Sequence, residues 1–299
     1  MRESIVTATT TPPKDAAAGA AVPITAVVPV RNEERQLADC LESLRGFADV
    51  VVVDSGSTDR TCEIAAEHGA TVLQFEWNGK FPKKRNWCLR TYALRTPWVF
   101  FVDADERVPE ALKEELRRVL PNTPHVGFWL SYDTRFQGRL LRHGDRLRKL
   151  ALFRLGAGEY ERIDEDHWSR LDMEVHEHPV LNGTVGALDS PMRHEDPASL
   201  EDYLEKHRQY AAWEAHRYLA LRGGARGKSE SLTRRQRVKY RLLTSRVLAP
   251  AYFVFSYVFK GGFLDGRPGL TFARLKTRYY RDIRRRIRDL RRGDARRRR

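Results

Sequence analysis

The sequence predicts an α/β protein whose core is a mostly parallel β-sheet flanked by helices. Short, continuously apolar runs such as residues 24–30 recur through the first half of the chain, and such runs are typical of strands buried on both faces. Apolar residues at helical spacing lie between these runs, so the strands cannot form hairpins and are expected to be parallel. With 299 residues, of which 41% are hydrophobic, the chain is long enough to bury such a core, and disorder of the whole chain is excluded.

The first two strands and their helices follow from local patterns. Residues 24–30 form an apolar run with Pro29 near its end, where strand pairing is expected to stop. The next helix is predicted from apolar residues at positions i, i+3, i+4 and i+7, namely Leu37, Cys40, Leu41 and Leu44. Residues 50–53 are four consecutive valines, and this β-branched run predicts the second strand. The polar turn 54–59 then caps a helix that buries Ile64 and Ala65.

Two more strands complete the first half. Residues 70–75 predict a third strand, and a loop with Gly and Pro precedes a helix expected over 83–94. The apolar run 98–102 predicts the fourth strand. The helix after it is expected to bury Leu112, Leu116, Val119 and Leu120.

Composition divides the chain into four segments. Residues 1–22 are rich in Thr, Ala and Pro and are interpreted as a disordered leader, because they lack the apolar run of a signal peptide. Residues 23–120 hold the regular strands and helices, and 121–222 are less regular but end in a helix expected over 198–221. A glycine-rich break then opens the basic segment 223–299.

The net charge of +14 is unevenly distributed. Residues 226–299 contain 24 Lys and Arg against 5 Asp and Glu, a net charge of +19, whereas the preceding residues carry a net charge of −5. The apolar stretch 247–259 is too short to span a bilayer and ends at Lys260. The three cysteines lack metal-ligand spacing and are expected to be reduced core residues.

Polar turns follow three of the predicted strands, at residues 29–33, 54–59 and 103–105. Because the carboxyl ends of parallel strands meet at one edge of a sheet, these turns are expected to line a common ligand site. Asp103 and Asp105 form a D-x-D pattern on one side of an extended segment, where two carboxylates can share a hard divalent cation. Caps and solvated turns remain the alternative interpretation of each of these acids.

Together these motifs resemble the nucleotide-sugar half of a family 2 glycosyltransferase. The resemblance is carried by residues 27–33 (VVPVRNE), 52–59 (VVDSGSTD), 83–86 (KKRN) and 101–105 (FVDAD), in order and at ordinary spacings. Residues 174–177, 191–194, 203–206 and 262–267 extend it to the branch that includes lipopolysaccharide-core β-glucosyltransferases. The resemblance implies the Rossmann-like GT-A fold, with 23–120 as the nucleotide-sugar-binding half, 121–222 as the acceptor and catalytic half, and a helical basic appendage.

The resemblance also implies roles for individual residues. Asp54 matches the acid that reads the nucleobase, and the residues expected to line the same pocket are Pro29, Arg31 and Glu33. Lys84 and Arg85 match the basic position that neutralises the diphosphate, with an ordinary solvated helix start as the alternative. The implied cofactor is Mg²⁺ or Mn²⁺, and the implied ligands are Asp103, Asp105 and His194, with a partly buried structural histidine as the alternative for His194.

An inverting transfer needs a carboxylate that accepts the proton of the acceptor hydroxyl. Glu177 is the predicted base, because it lies in a segment that matches the branch. The sequence leaves open the other candidates, which are Glu174, Asp172 and the cluster Asp164, Glu165 and Asp166. The family's usual acidic pair is not found at Glu177, which is followed by His178 and Pro179.

The expected function is metal-dependent inverting transfer from a nucleotide-diphosphate sugar, a UDP-sugar by resemblance, to a lipid-linked or envelope saccharide. The alternative class is a glycan- or nucleotide-sugar-binding protein without turnover. For residues 226–299 an anionic membrane surface is favoured, because an apolar stretch rich in Tyr and Phe lies between basic segments there. Packing on the catalytic domain or on a second subunit is the next interpretation of this segment, and nucleic-acid binding is disfavoured because no RNA-binding signature accompanies the charge. A cytoplasmic protein at the inner face of the membrane is expected.

Overall fold

The computed structural model describes residues 21–163, 169, 171–174, 177–195, 200–222, 232 and 234–297. The predicted leader, residues 1–22, lies almost wholly outside this part of the chain, as do the base candidates Asp164, Glu165 and Asp166. The described residues divide into two compact units. The first comprises the residues up to Asp133 together with Leu147–Glu195, and the second comprises Thr134–Arg146 with the described residues beyond Glu195.

Strands alternate with helices in the first unit and continue into its irregular half. The strands are β1 Val22–Val30, β2 Phe47–Asp54, β3 Thr71–Gln74, β4 Trp98–Phe101, β5 Glu106–Arg107, β6 Gly127–Phe136, β7 Arg139–Leu141, β8 Arg148–Arg154, β9 Gly158–Tyr160, β10 Pro179–Leu181, β11 Val185–Ala187 and β12 Met192–Glu195. The helices are α1 Leu37–Ser43, α2 Thr61–Glu67, α3 Lys84–Thr91, α4 Glu110–Val119, α5 Leu200–Arg222, α6 Arg234–Leu242, α7 Leu248–Phe253 and α8 Gly266–Arg297. The four strands and the helices predicted from sequence are confirmed, with ends that differ by a few residues.

The main sheet has the strand order β3-β2-β1-β4-β8-β6-β12-β5. The first four strands are parallel, as predicted, and the next two pair antiparallel to their neighbours. The sheet is therefore mixed: parallel in the half built by the alternating strands and helices, and antiparallel where the chain returns through residues 127–154.

Helices cover both faces of the parallel half. Alternate residues of β1 enter different apolar clusters, with Ala26 and Val28 on one face and Val27 on the other. The same alternation places Phe100 on the first face and Phe101 on the second. Two-sided burial explains the continuous apolar runs that predicted these strands.

The second unit is largely helical. Helices α5 and α8 pack through a small apolar core that contains Ala211, Ala215, Tyr218, Leu243, Ile283 and Ile287. The helix expected within the acceptor half, α5, thus belongs to the same compact unit as the basic segment. In the same unit Asp265 accepts hydrogen bonds from the backbone N–H groups of Arg142 (3.1 Å) and His143 (2.9 Å), which fixes the loop that follows β7.

Candidate active site

The turns that follow β1 and β2 hold each other in place by reciprocal hydrogen bonds. Asn32 donates its backbone N–H to Ser57 Oγ over 2.8 Å, and its own Oδ1 accepts the N–H of Thr58 over 2.8 Å. Asn32 has a positive φ of 56°, which asparagine tolerates better than most residues. The carboxyl ends of these two strands therefore form one continuous polar edge, as expected from the register that pairs Val30 with Asp54.

Asp54, the predicted reader of the nucleobase, is buried in that edge. Its Oδ2 accepts the N–H groups of Gly56 and Ser57, each over 3.0 Å. Asp54 can fix the turn and still accept a hydrogen bond from a nucleobase, because a carboxylate oxygen has more than one lone pair. Both interpretations made from the sequence are therefore compatible with this geometry. Pro29 is buried beside it on β1, whereas Arg31 is exposed and Glu33 is partly exposed. Their part in nucleotide binding stays a prediction.

Four consecutive polar residues, 83–86, lie at the start of helix α3, and Lys84 among them contacts this edge. Lys84 is buried and donates to the carbonyl oxygen of Val30 over 2.8 Å, and its Nζ lies 3.4 Å from Asp172 Oδ2. Burial lowers the pKa of Lys84, and the charge of Asp172 opposes that shift. A solvated helix start is excluded for this lysine.

Arg85 joins α3 to the D-x-D turn. Its Nη2 donates to Asp103 Oδ1 over 2.6 Å, and its Nη1 donates to the carbonyl oxygen of Glu174. The guanidinium also lies over the ring of Tyr160, with the carbon 5.2 Å from the ring centroid. Since both Lys84 and Arg85 are bonded to protein groups, direct contact with a diphosphate stays a prediction for each of them.

Glu174, one of the alternative bases, caps helix α3. Its two carboxylate oxygens accept the backbone N–H groups of Arg85 (2.9 Å) and Asn86 (3.1 Å), which have no partner within the first turn of a helix. Asn86 in turn exchanges two hydrogen bonds of 2.9 Å with the backbone of Tyr160, as a neighbouring strand would. Glu174 is therefore a structural residue of the helix start.

Glu177, the predicted base, is buried and forms an ion pair with Lys83, whose Nζ lies 3.1 Å from Oε1. The two side chains line a cleft together with Trp77, Gly79, Lys80, Phe81, Glu161, Ile163 and Glu174. A carboxylate that lines a cleft offers an oxygen that can accept a proton, which a general base requires. Asp172, a further candidate, is engaged with Lys84 instead.

The D-x-D turn separates its two acids. Asp103 accepts a hydrogen bond from Arg85 on one oxygen and a hydrogen bond of 2.7 Å from Lys149 Nζ on the other. Asp105 instead faces His194, whose Nε2 lies 3.4 Å from Oδ2. Burial by itself lowers the pKa of His194, but the hydrogen bond and charge of Asp105 outweigh it and raise the pKa above its ordinary value.

Asp105 and His194 are suited to a divalent cation. A carboxylate oxygen and an imidazole nitrogen can both be ligands of a divalent cation such as Mn²⁺. The side chains of Asp105 and His194 are 19% and 20% exposed, so that an ion can reach them. Within the described residues His194 Nδ1 makes no hydrogen bond. One oxygen each of Asp103, Asp105 and Glu106 also lies within 4.8 Å of the others.

Sequence reasoning gave no role to three residues of this site. Lys83 stands in a motif that was recognised, directly before the two basic residues to which roles were assigned. Glu106 follows the D-x-D and is buried, with its Oε1 bonded by Lys149. Lys149 lies in β8 without any local signal, and only its position opposite the D-x-D reveals it.

Comparison with known proteins identifies the family of this chain. The model of "Glycosyl transferase family 2" matches residues 25–174. The chain is 30% identical over 206 residues to the lipopolysaccharide core biosynthesis glycosyltransferase LpsC of Rhizobium meliloti, which covers 65% of this chain and 71% of LpsC. It is 26% identical over 205 residues to an uncharacterized glycosyltransferase of Rickettsia felis, covering 64% of this chain and 69% of that protein.

Among solved structures, S. aureus TarS 1-349 is 20% identical over 90% of this chain and 91% of that one, with a TM-score of 0.39. That score is too low to add to what the sheet order and the family match already show. The matched residues 25–174 contain most of β1, all of β2 to β4, both polar turns, the D-x-D and helix α3 with its cap. This chain is a member of glycosyltransferase family 2.

Proposed function

We propose that this protein transfers a sugar, with inversion, from a UDP-sugar to a lipid-linked saccharide of the cell envelope, with the help of Mn²⁺ or Mg²⁺. The observation that carries the proposal is the D-x-D turn at the carboxyl edge of the sheet, where Asp105 faces His194 beside the polar turns of β1 and β2. The similarity to LpsC, which is named for lipopolysaccharide core biosynthesis, supports the class of acceptor.

In this proposal the nucleotide lies along the turns of β1 and β2, with Asp54 toward the base and the diphosphate toward Asp105 and His194. Asp105 and His194 would hold the divalent cation, which would supply positive charge to the leaving diphosphate. Lys84 lies next to the end of β1 and places an ammonium group on the same edge.

The transfer itself is a single displacement. The acceptor oxygen forms a bond to the anomeric carbon while the bond from that carbon to the diphosphate oxygen breaks. Glu177 takes the proton of the acceptor hydroxyl, and its ion pair with Lys83 holds the carboxylate in place. No covalent sugar-enzyme intermediate is needed.

The second unit supports the proposed membrane partner. Six apolar side chains of residues 254–264 are exposed, and we name this group the apolar ridge; it consists of Val254, Phe255, Val258, Phe259, Phe263 and Leu264. Phe259 is the most exposed of them at 78%. Lys260 lies within the ridge and the arginine-rich helix α8 follows it, so that apolar and basic groups are presented by the same segment. This combination suits an anionic lipid surface.

In the part of the chain that the structure describes, no helix is both long and apolar enough to cross a bilayer. Contact with the surface through the apolar ridge is therefore the mode of membrane association that we propose. A homo-oligomer that covers the same ridge is the competing arrangement. Analytical ultracentrifugation of the protein without lipid distinguishes the two, because an oligomer sediments with a multiple of the mass of one chain.

A nucleotide panel tests the proposed donor and metal. Thermal unfolding is followed with UDP, GDP, CDP and ADP, each with and without Mn²⁺. We expect UDP with Mn²⁺ to raise the midpoint most and UDP alone to raise it less. No stabilisation by any nucleotide diphosphate would exclude both the transferase and the alternative of a nucleotide-sugar-binding protein.

Turnover is tested separately with radiolabelled UDP-sugars and membrane extract as the source of acceptors. Transfer of label to lipid-extractable material supports the proposed acceptor class. Stabilisation by UDP without any transfer would favour the binding protein without turnover.

A further inference from the structure

Lys149 lies inside the acidic cluster of the D-x-D. Its Nζ donates to Asp103 Oδ2 over 2.7 Å and also to Glu106 Oε1, and Glu106 is buried. Its ion pairs with both acids thus hold the ammonium group of Lys149 between the carboxylates of Asp103 and Glu106.

Two fixed cations thus lie among three carboxylates. Arg85 bonds the first oxygen of Asp103, and Lys149 bonds the second oxygen and bridges to Glu106. Among the described residues, this cluster thus contains three carboxylates and two cations, and Asp105 is turned toward His194. A divalent ion is strongly held only where several negative groups surround it, so this arrangement binds it weakly until further negative charge arrives.

We propose that Lys149 is a positioning residue that keeps a divalent cation away from Asp103 and Glu106, confines it to Asp105 and His194, and makes its binding depend on a nucleotide diphosphate. This inference rests on the proposed function, because it concerns the metal and donor of the same site. The diphosphate supplies the negative charge that Lys149 and Arg85 have cancelled. Metal and donor therefore bind together, and metal without donor binds weakly.

The test is the affinity for Mn²⁺ alone and with UDP, measured by isothermal titration calorimetry and by the Mn²⁺ signal in electron paramagnetic resonance. The wild-type protein should bind Mn²⁺ weakly, and saturating UDP should strengthen the binding about tenfold or more. Lys149→Met removes the charge and leaves the two carboxylates to the metal. Without UDP, this variant should bind Mn²⁺ about tenfold more tightly than the wild type does. Saturating UDP should increase its affinity for Mn²⁺ by a smaller factor than in the wild type.

Lys149→Arg is the matched control, since it keeps the charge and should keep the dependence on UDP. Lys149→Gln retains a hydrogen-bond donor for Glu106 without the charge, and it replaces the Met variant if that variant does not fold. A purely structural role for Lys149 predicts weaker Mn²⁺ binding in both neutral variants, the opposite of the gain expected here.

The inference is overturned if the neutral variants bind Mn²⁺ no more tightly than the wild type, or if Lys149→Arg behaves as they do. The comparison needs no acceptor and no turnover. A protein that transfers no sugar would contradict the proposed function, and the variants would still decide the role of Lys149.

Discussion

Arg85 Nη2 lies 2.6 Å from Asp103 Oδ1, and this ion pair joins the start of helix α3 to the turn that ends β4. The same guanidinium donates to the carbonyl oxygen of Glu174, whose carboxylate caps the helix. One side chain thus connects three segments that are distant in sequence. The geometry of the D-x-D depends on α3 being in place, and α3 depends on the segment around Glu174.

Arg85→Lys should impair transfer more than it impairs folding. A lysine ammonium is compact and cannot reach both Asp103 and the carbonyl of Glu174 with the planar, two-sided geometry of a guanidinium. Loss of one charge-assisted hydrogen bond costs about 1.5–3 kcal/mol, so we expect kcat/KM to fall roughly 10- to 100-fold. Steady-state kinetics with the UDP-sugar measures this. An Arg85→Lys variant with wild-type kinetics would show that the ion pair does not position Asp103.

Glu177→Gln should retain UDP binding and lose transfer by about 10²- to 10⁴-fold, the usual contribution of a general base. Glu159→Gln is the control, because Glu159 also pairs with a cation, Arg90 at 2.6 Å, but lies half-exposed on β9. The control should keep most of the activity. Unchanged transfer by Glu177→Gln would assign the base to another carboxylate.

Glu115 links helix α4 to the loop that leads into β12. Its oxygens accept the N–H groups of Asp189 (2.9 Å) and Ser190 (2.8 Å). Burial raises the pKa of Glu115, but these two hydrogen bonds outweigh it and the pKa lies below the ordinary value of 4.5. The stabilisation is therefore fully present above about pH 4.5 and is lost as the pH falls through the lower pKa of the folded protein.

Glu115→Gln should accordingly destabilise the protein by about 1–3 kcal/mol at neutral pH, because the amide turns a donor toward one of the two N–H groups. Urea unfolding followed by tryptophan fluorescence measures the midpoint, and the difference from wild type should shrink at acidic pH. Glu114→Gln, at an exposed neighbouring position, should leave the midpoint unchanged. A difference that is constant with pH would contradict the role of the carboxylate charge.

The apolar ridge should decide membrane binding together with the basic charge. Replacing Phe259 and Leu264 by Ser removes two of its most exposed apolar side chains, and we expect the affinity for vesicles containing phosphatidylglycerol to fall about tenfold or more. Val180→Ser, an exposed apolar position on β10, is the control and should bind as the wild type does. Co-sedimentation measures the bound fraction. Equal binding by the double variant would leave the basic charge alone responsible.

Much of the fold was predictable because its signals are local. The apolar runs that became β1, β2 and β4 are continuous since each strand is buried on both faces, and the helices between them show their buried stripe at the period of a helix. The polar turns were predicted to meet at one edge, and the hydrogen bonds between Asn32 and residues 57–58 confirm that the first two do. The antiparallel return through β8 and β6 was not predicted, since residues 121–197 carry no regular period.

The sequence by itself determined the family, the positions of the D-x-D and of helix α3, and the separation of a basic tail from an acidic body. The tertiary structure decided which carboxylate meets which cation. The antiparallel register that sets Phe100 opposite Leu152 carries Lys149 to the level of Asp103, and α3 brings Arg85 to the same acid from the other side. Such pairings depend on strand register and helix packing between residues far apart in the chain, and no local pattern of residues records them.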